Sequence, residues 1–428
     1  MIKILNSKNK RFDFILDKLL GKRKNKVQIE TVPVVKILKD VKKNGDKAVI
    51  KYEKKFNNNK TIKPNPKQIN KLIKSLDKKV KKAIDLAYKR IYKFHSLQKF
   101  KNISYIDSFK NKLEYKYIPI ESVAVYVPGS NASYPSSVLM NTIPALVAGV
   151  KRIVMINPSK GGKQNPAVLY AARKCKIKEI YSIGGPSAIA AVAYGTKKIK
   201  KVDKIVGPGN AYVAAAKKEV FGDVGIEGMI AGPSEVTIVC DKYSSPEWVA
   251  SDLIGQAEHD NLAQCILISK DKKLLLNVQI EIKKQLKDLP RIKIAKNSIL
   301  NNGILMHVTS DQKIIDIINK IAPEHLELNI KNYKKIVNKI INAGSICLGR
   351  YAVMAMTDYN VGSNHILPTN SSARYSSGIS VNEFYKRISY INLTKKGIES
   401  LGPSVITLAN YEGLAGHAKS VEKRIRRK

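Results

Sequence analysis

The sequence predicts an α/β protein built around a parallel, doubly wound sheet. Between residues 126 and 235, short apolar runs alternate with helical stretches rich in small residues, and the runs end at glycine turns. Three strand-like runs, each followed by a predicted helix, carry the pattern: 152–156 with 167–174, 179–183 with 188–194, and 202–206 with 211–220. Because parallel strands need a crossover between them, repeated strand–turn–helix units are typical of this fold class.

Elements on either side extend the pattern. Apolar residues spaced three and four apart predict one long amphipathic helix, or two, over 67–95, and residues 123–127 predict a buried strand. Later residues predict further elements: strands at 236–240 and 264–269, and helices at 247–258, 272–287, 313–320 and 331–342.

Composition excludes several classes of protein. The 428 residues suggest about two to four domains, and with 44% hydrophobic residues the chain is neither collagen-like nor wholly disordered. Four cysteines without a CxxC pair exclude a disulfide scaffold and favour a reducing, cytoplasmic setting. Polar residues interrupt both the first 21 residues and the apolar stretch 138–156, so neither a signal peptide nor a membrane span is expected.

The net charge of +43 allows two interpretations. It could indicate nucleic-acid or anionic-membrane binding, or it could reflect frequent lysine on solvated faces. We favour the second, because the lysines run along the whole chain and no basic motif is interleaved with aromatic residues. The basic tail at 424–428 is then a solvated helix end, and no specific nucleic acid or membrane is expected as a partner.

Glycine turns predict an anion site. Gly207-Pro208-Gly209-Asn210 lies between a predicted strand and a predicted helix, where free backbone N–H groups and the positive helix end face an anion. The turn lacks the third glycine of GxGxxG, and a tight turn that needs positive φ explains it equally well. Three such turns on one sheet favour a nucleotide site at the strand ends.

Polar clusters predict acid–base and metal chemistry. Gln256 and His259 lie three apart on a predicted helix, so both could ligate a divalent metal, although His259 could simply end a helix. Pro323 predicts a helix start that places Glu324 and His325 in the first turn, facing different directions. The helix N-terminus would keep His325 neutral, or the pair could be incidental. Spacing alone does not show that these clusters meet in space.

Eight ordered motifs occur along the chain. The motifs are Tyr126-Val127-Pro128-Gly129, Tyr134 to Met140 (YPSSVLM), Val202 to Val213 (VDKIVGPGNAYV), Ala231-Gly232-Pro233-Ser234-Glu235, Gln256-Ala257-Glu258-His259, Ala322 to Leu328 (APEHLEL), Asn364 to Thr369 (NHILPT) and Glu412 to His417 (EGLAGH). Together they resemble the motifs of histidinol dehydrogenases. The match runs in order from near residue 28 to residue 420 and so covers most of the chain.

The resemblance implies an activity and an architecture. Members of the family oxidise L-histidinol through L-histidinal to L-histidine and reduce two NAD⁺. This reaction is the last step of histidine biosynthesis, and the enzymes are zinc-dependent homodimers. The implied fold has two doubly wound, incomplete Rossmann-like parallel-sheet domains with small N- and C-terminal segments. The implied division is a helical arm at 1–21, a main domain of 22–125 and 236–379 with zinc and catalytic residues, an inserted NAD domain at 126–235, and a segment at 380–428 that reaches the partner subunit.

The resemblance also implies residue roles. His325 would be the base that removes the hydroxyl proton, and Glu324 would activate water. Ser234, His365 and Glu412 would contact substrate together with His325 and the zinc ligands, and Tyr126 and Asn210 would contact NAD. Glu412 and His417 would complete the partner's site. The implied zinc ligands are Gln256, His259, Asp358 and His417.

Four departures from the family pattern qualify the resemblance. Ser130 and Thr357 stand where glycine is usual, and the stretch 225–230 looks one residue longer. Ser187 stands where the family has a glutamine that contacts NAD. Because serine is too short to make the same hydrogen bonds, we predict weaker NAD binding.

Two other functions compete with histidinol oxidation. One is a related dehydrogenase that acts on another amino alcohol, and the other is a non-enzymatic binder, argued from the net charge. Ser234 and Glu412, which suit an amino-imidazole substrate, favour histidinol.

Overall fold

The computed structural model describes residues 2–25, 31–129, 134–228 and 232–425. The chain divides into two compact units, the first formed by Met1–Gln98 with Glu121–Glu383 and the second by Lys99–Ile120 with Phe384–Lys428. Strands alternate with helices through most of the first unit, as the fold class requires.

The described strands form two parallel sheets in the first unit and one antiparallel sheet in the second. In chain order the strands are β1 (Lys3–Asn6), β2 (Ile103–Ile106), β3 (Lys112–Pro119), β4 (Ser122–Tyr126), β5 (Arg152–Ile156), β6 (Glu179–Tyr181), β7 (Lys204–Val206), β8 (Gly225–Ile226), β9 (Glu235–Cys240), β10 (Gln264–Ser269), β11 (Ile304–His307), β12 (His325–Asn329), β13 (Ser345–Leu348) and β14 (Tyr385–Asn392).

Strand order shows the crossovers. The six-stranded sheet has the order β1-β11-β10-β9-β12-β13, and the five-stranded sheet has the order β6-β5-β4-β7-β8. Their paired strands are parallel, whereas the sheet β14-β3-β2 of the second unit is antiparallel. The predicted α/β class with two parallel, doubly wound sheets is therefore confirmed.

The described helices of the first unit connect its parallel strands and cover its two sheets, and the last two helices of the chain belong to the second unit. The described helices, in chain order, are α1 (Phe12–Asn25), α2 (Thr31–Asn44), α3 (Asp46–Asn57), α4 (Pro66–Ser75), α5 (Lys78–Ser96), α6 (Pro135–Ala148), α7 (Pro166–Lys174), α8 (Gly185–Tyr194), α9 (Ala211–Glu219), α10 (Pro246–Ala257), α11 (Lys272–Gln285), α12 (Ile292–Asn302), α13 (Asp311–Ile321), α14 (Lys334–Val337), α15 (Met354–Tyr359), α16 (Lys395–Tyr411) and α17 (Ala415–Ile425). The predicted segment 67–95 forms two helices because Leu76 is extended and the Asp77 side chain caps α5 by accepting from Lys79 and Val80.

Both faces of the six-stranded sheet are covered by apolar layers. Val236, Ile238 and Cys240 of β9 pack toward α10, α11 and α12, whereas Val239 packs on the opposite face with α13. Every residue of β9 and β10 is buried. Burial on both faces explains why these strands read as continuous apolar runs rather than as alternating ones.

Two sequence predictions are wrong. Pro323 does not begin a helix; α13 ends at Ile321, the next residue Ala322 has left-handed backbone, and His325 begins strand β12. Residues 331–342 do not form one helix, because only the four residues of α14 are α-helical there. The side chain of Asn319 accepts from the amides of Ile341 and Asn342, which therefore pair outside a helix.

Sheet membership bears on the implied domain division. Strand β1, inside the predicted helical arm at 1–21, is the edge strand of the six-stranded sheet. Strand β4 begins before residue 126 and lies inside the five-stranded sheet. The four-part division stays a prediction. Over the described ranges, no helix combines the length and apolar content that crossing a membrane requires.

Candidate active site

The predicted catalytic, metal-binding and substrate-binding residues of the first unit lie at the amino-terminal edge of the six-stranded sheet. Ser234 precedes β9, and its carbonyl oxygen accepts from the amide of Gln264 at 2.9 Å. His325 begins the neighbouring strand β12. Helix α10 follows β9 and returns toward the same edge, so its last turn carries Gln256 there, with His259 just beyond. Short helix α15 adds Asp358.

Glu324 and His325 converge instead of facing separate directions. Oε2 of Glu324 accepts from the amide of Glu235 at 2.8 Å. Oε1 of Glu324 lies 4.0 Å from Nε2 of His325, and both side chains are buried. Because Glu324 precedes the strand, its side chain is free of the strand's strict alternation. The two groups can therefore act on one bound molecule.

Burial governs the charge of this pair. Desolvation, followed by the nearby His365 and His259, lowers the pKa of His325 to about 3. The imidazole is therefore neutral, as predicted, but through burial and not through a helix N-terminus. Burial first, and then the charges of Glu235 and Asp358, raises the pKa of Glu324 well above its ordinary value. Strongly shifted groups of this kind are typical of acid–base sites.

Asp358 and His365 lie beside the same imidazole. Oδ1 of Asp358 is 3.8 Å from Nε2 of His325, and burial raises the pKa of Asp358 to about 7. Nδ1 of His365 donates to the carbonyl oxygen of Asp358 at 2.8 Å. Since a carbonyl can only accept, this bond leaves Nε2 of a neutral His365 as an acceptor. Burial lowers the pKa of His365 to about 4, which favours that neutral form.

Gln256 supplies the observation that fits a metal. Its side chain is fully buried, yet neither amide atom, Oε1 or Nε2, has a hydrogen-bond partner among the described residues. Leaving such a group unpaired costs about 1–3 kcal/mol, which a ligand bound to Oε1 would offset. His259 keeps exposed surface, although surrounding protein lowers its pKa by desolvation. Amide, imidazole and carboxylate donors suit a divalent transition metal such as zinc.

Among the residues that the structure describes, acidic, histidine and cysteine side chains alone do not form a complete metal cage. Over the described parts of the chain, no three such groups lie close enough to hold an ion. Of the three predicted ligands in the first unit, two are of these types, His259 and Asp358. The third ligand is the amide of Gln256. The predicted ligand His417 and the predicted substrate contact Glu412 belong to the second unit, where both are exposed.

The predicted NAD contacts lie at the carboxyl-terminal edge of the five-stranded sheet. The hydroxyl of Tyr126 accepts from the amide of Gly185 at 3.1 Å, at the start of α8. Oδ1 of Asn210 accepts from the amide of Val213 at 3.1 Å and so caps α9. Gly207 has φ of 102°, and a Cβ there would lie 2.3 Å from the carbonyl oxygen of Tyr126, so only glycine fits.

The departures from the family pattern have different settings. Ser130 lies outside the described residues, as does the end of the stretch 225–230. Thr357 donates through Oγ1 to the carbonyl oxygen of Met354 at 2.7 Å. Ser187 is buried and donates to the carbonyl oxygen of Gly184 at 3.0 Å. Its predicted effect on NAD binding stays a prediction.

Sequence reasoning missed residues that support the site. Glu235 fixes Glu324 through its amide, and its Oε1 accepts from the amide of Asn370 at 2.7 Å. Glu327 lies close to Asp252 and near Asp358, and the buried Lys217 donates to the carbonyl oxygen of Gly207 in the glycine turn. One signal in the sequence could have indicated them. A charged residue inside an otherwise apolar element indicates a paired group, because charged side chains are almost never fully buried unless they are paired.

Comparison with known proteins places the chain in a family. The family model described as histidinol dehydrogenase matches residues 21–425. The histidinol dehydrogenase of Pelagibacter ubique is 82% identical over 428 residues, 100% of both chains, and that of Nitrosomonas europaea is 43% identical over 99% of this chain and all of its own. The crystal structure of histidinol dehydrogenase from Elizabethkingia anophelis has a TM-score of 0.90 at 37% identity and covers 99% of this chain and 98% of its own. This chain belongs to the histidinol dehydrogenase family.

Proposed function

We propose that this chain oxidises L-histidinol through L-histidinal to L-histidine, in the last step of histidine biosynthesis. Two NAD⁺ and one water are consumed, and two NADH are formed. The observation that carries the proposal is the buried, neutral imidazole of His325, whose Nε2 lies within 4.0 Å of the carboxyl groups of Glu324 and Asp358. A base, a water-activating group and a substrate-orienting group in one site together promote the oxidation of an alcohol to the acid level.

His325 is the proposed base for the alcohol step. Its Nε2 takes the hydroxyl proton as the carbinol carbon loses a hydride. A histidine held neutral by burial is ready to accept a proton at neutral pH. Glu324, held through Oε2 by the amide of Glu235, presents Oε1 to a water that adds to the aldehyde. The resulting hydrate then loses the second hydride.

Gln256, His259 and Asp358 are the proposed zinc ligands of the first unit. Held by these residues, zinc would supply a Lewis acid that orients the substrate. The unpaired amide of Gln256 supports this assignment, because a metal would satisfy its oxygen. Ser234 and His365 are proposed to contact the substrate from the same sheet edge.

Tyr126 and Asn210 are the proposed NAD contacts, and bound NAD⁺ supplies the hydride acceptor in both oxidation steps. We further propose a homodimer in which Glu412 contacts the substrate amine and His417 is the fourth zinc ligand of the partner's site. The exposure of both side chains on the second unit supports a role toward another copy of the chain. The proposed setting is cytoplasmic, where four buried, free cysteines stay reduced.

The stoichiometry of NADH tests the reaction. Purified protein with zinc, NAD⁺ and limiting L-histidinol is expected to form two NADH per substrate and to release histidine. One NADH per substrate, with histidinal accumulating, would show an ordinary alcohol dehydrogenase instead. An amino alcohol without the imidazole ring is the control substrate, and equal turnover of it would contradict the histidinol assignment.

A further inference from the structure

A pair of acidic side chains lies directly behind the candidate site. Glu327, in the middle of β12, is only 1% exposed. Its carboxyl group faces the carboxyl group of Asp252 on α10, close enough for the two to share a hydrogen bond when one of them holds a proton. Its Oε1 also accepts from the amide of Met354, the first residue of α15, at 2.7 Å. One carboxyl pair therefore connects a strand, a long helix and the start of a short helix.

Each of the three connected residues lies on the same element as a site residue, two positions away on the strand or four positions away on a helix. Glu327 follows His325 by two positions on β12, and successive residues of a strand face opposite sides. Both side chains therefore point to the same face of the sheet. That face is the one on which α10 packs, because His325 and Glu327 pair with Val236 and Ile238, whose side chains contact that helix.

The two helices repeat this relation. Asp252 precedes Gln256 by four positions on α10, and Met354 precedes Asp358 by four positions on α15. Residues four apart on a helix lie on the same face, one above the other. The linked residues Asp252, Glu327 and Met354 therefore form one layer. The site residues Gln256, His325 and Asp358 form the layer directly above it.

Proton counting defines the chemistry of the pair. Two ionised carboxylates can only accept, so a hydrogen bond between them requires one shared proton. Burial, with the charge of Asp252, raises the pKa of Glu327 to about 8, in agreement with a protonated partner in the pair. A neutral amide in place of either acid can make the same bond to the remaining carboxylate.

We propose that the Asp252–Glu327 pair is a positioning device that sets β12, α10 and α15 in register, so that Gln256, His325 and Asp358 converge on the metal and substrate. The inference rests on the proposed function for the identity of the metal. It assigns no contact with substrate to either acid, and both are positioning residues.

Amide and apolar variants distinguish the hydrogen bonding of the pair from the space that its side chains fill. Glu327→Gln and Asp252→Asn keep a donor and an acceptor, so zinc affinity measured by chelator competition is expected to stay within about threefold of the unmodified protein. Glu327→Leu cannot accept from Met354 or bond to Asp252, and we expect at least a tenfold loss of zinc affinity. Cobalt(II) absorption gives a second readout, because its visible band is expected to change shape only in the Leu variant.

A backbone test removes one hydrogen bond. Proline is tolerated at the first position of a helix, and the preceding Val353 is already extended, as a residue before proline prefers. Met354→Pro therefore removes the N–H group that donates to Glu327. Met354→Ala removes the methionine side chain as well but keeps this N–H group. Lower zinc affinity in the Pro variant than in the Ala variant is expected, and equal affinities would overturn the role of this bond.

Glu53→Leu is the matched control for stability. Glu53 is also 1% exposed and also accepts a backbone amide, that of Gly184, at 2.7 Å, but it packs with the five-stranded sheet. It is expected to lower the melting temperature and leave zinc affinity unchanged. If Glu327→Leu does the same, the pair is only structural and the proposal is wrong. If the unmodified protein binds zinc but does not oxidise histidinol, the proposed function fails separately.

Discussion

Lys217 shows how one buried charge supports the predicted cofactor edge. Its side chain is 1% exposed, and its ammonium group donates to the carbonyl oxygen of Gly207 at 2.5 Å and to that of Glu227 at 3.4 Å. The lysine therefore ties the glycine turn to the segment after β8. Burial lowers the pKa of Lys217 from its ordinary 10.5 to about 8, although Glu227 partly opposes the shift.

Lys217 is expected to make stability rise with pH. Below pH 8 both the folded and the unfolded chain carry its proton, so the burial cost is fully present. Between pH 8 and 10.5 the unfolded chain binds more of this proton, and the folded protein gains about 3 kcal/mol relative to Lys217→Met. Urea unfolding of both proteins across this range measures the difference, and parallel pH profiles would refute the burial argument.

At the scale of elements, Asn210 has two separable tasks. Its Oδ1 caps α9, and its amide nitrogen is the group that we predict to donate to the cofactor. Asn210→Asp keeps the capping oxygen, so stability is expected to change by under about 0.5 kcal/mol. The lost donor and added charge are expected to weaken NAD binding at least tenfold in a calorimetric titration. Asn210→Ala, the control, is expected to lose about 1 kcal/mol of stability as well. Unchanged NAD affinity in both variants would remove Asn210 from the cofactor site.

Sequence pattern predicted elements well wherever periodicity and turn chemistry agreed. The strand at 264–269 has the predicted bounds, and the glycine turns fall between strand and helix as expected. The segment around His325 failed because Pro323 resembles a helix start, whereas Leu326 and Leu328 alternate as in a strand and pack in one apolar layer. Local signals conflicted there, and pairing with β9 and β13 decided the conformation.

The site was predictable in its members but not in its arrangement. Motif resemblance named Glu324, His325 and Asp358, yet spacing could not show that they converge at the amino-terminal edge of a sheet. Ligands of open parallel sheets usually bind at the opposite, carboxyl edge, so a general rule would have misplaced this site. Glu327 and Asp252 escaped notice because their partners are distant in sequence.

At the scale of the whole molecule, the proposed shared site predicts complementation between inactive variants. His259→Asn damages the first unit and His417→Asn the second, and each homodimer is expected to be inactive. Refolding them together at equal amounts makes half of the dimers mixed, and each mixed dimer has one intact site of two. About a quarter of normal activity is expected, given two-fold symmetry and random pairing.

Controls make the mixing test decisive. Co-refolding His259→Asn with Gln256→Ala places both changes in the first unit, so no intact site can form and activity is expected to stay at background. Activity absent from the first mixture, with mixed dimers verified by mass spectrometry, would contradict a shared site. The result would leave the chemistry assigned to His325 untouched.

The position of the site leaves the far end of the six-stranded sheet free for labelling. The loop after β9 lies at that end, and Tyr243 within it is 54% exposed. A strand of six residues separates this loop from Ser234 by roughly 20 Å. A linker attached at this loop is therefore expected to leave the site residues untouched, so that turnover could be followed with the enzyme on a solid support.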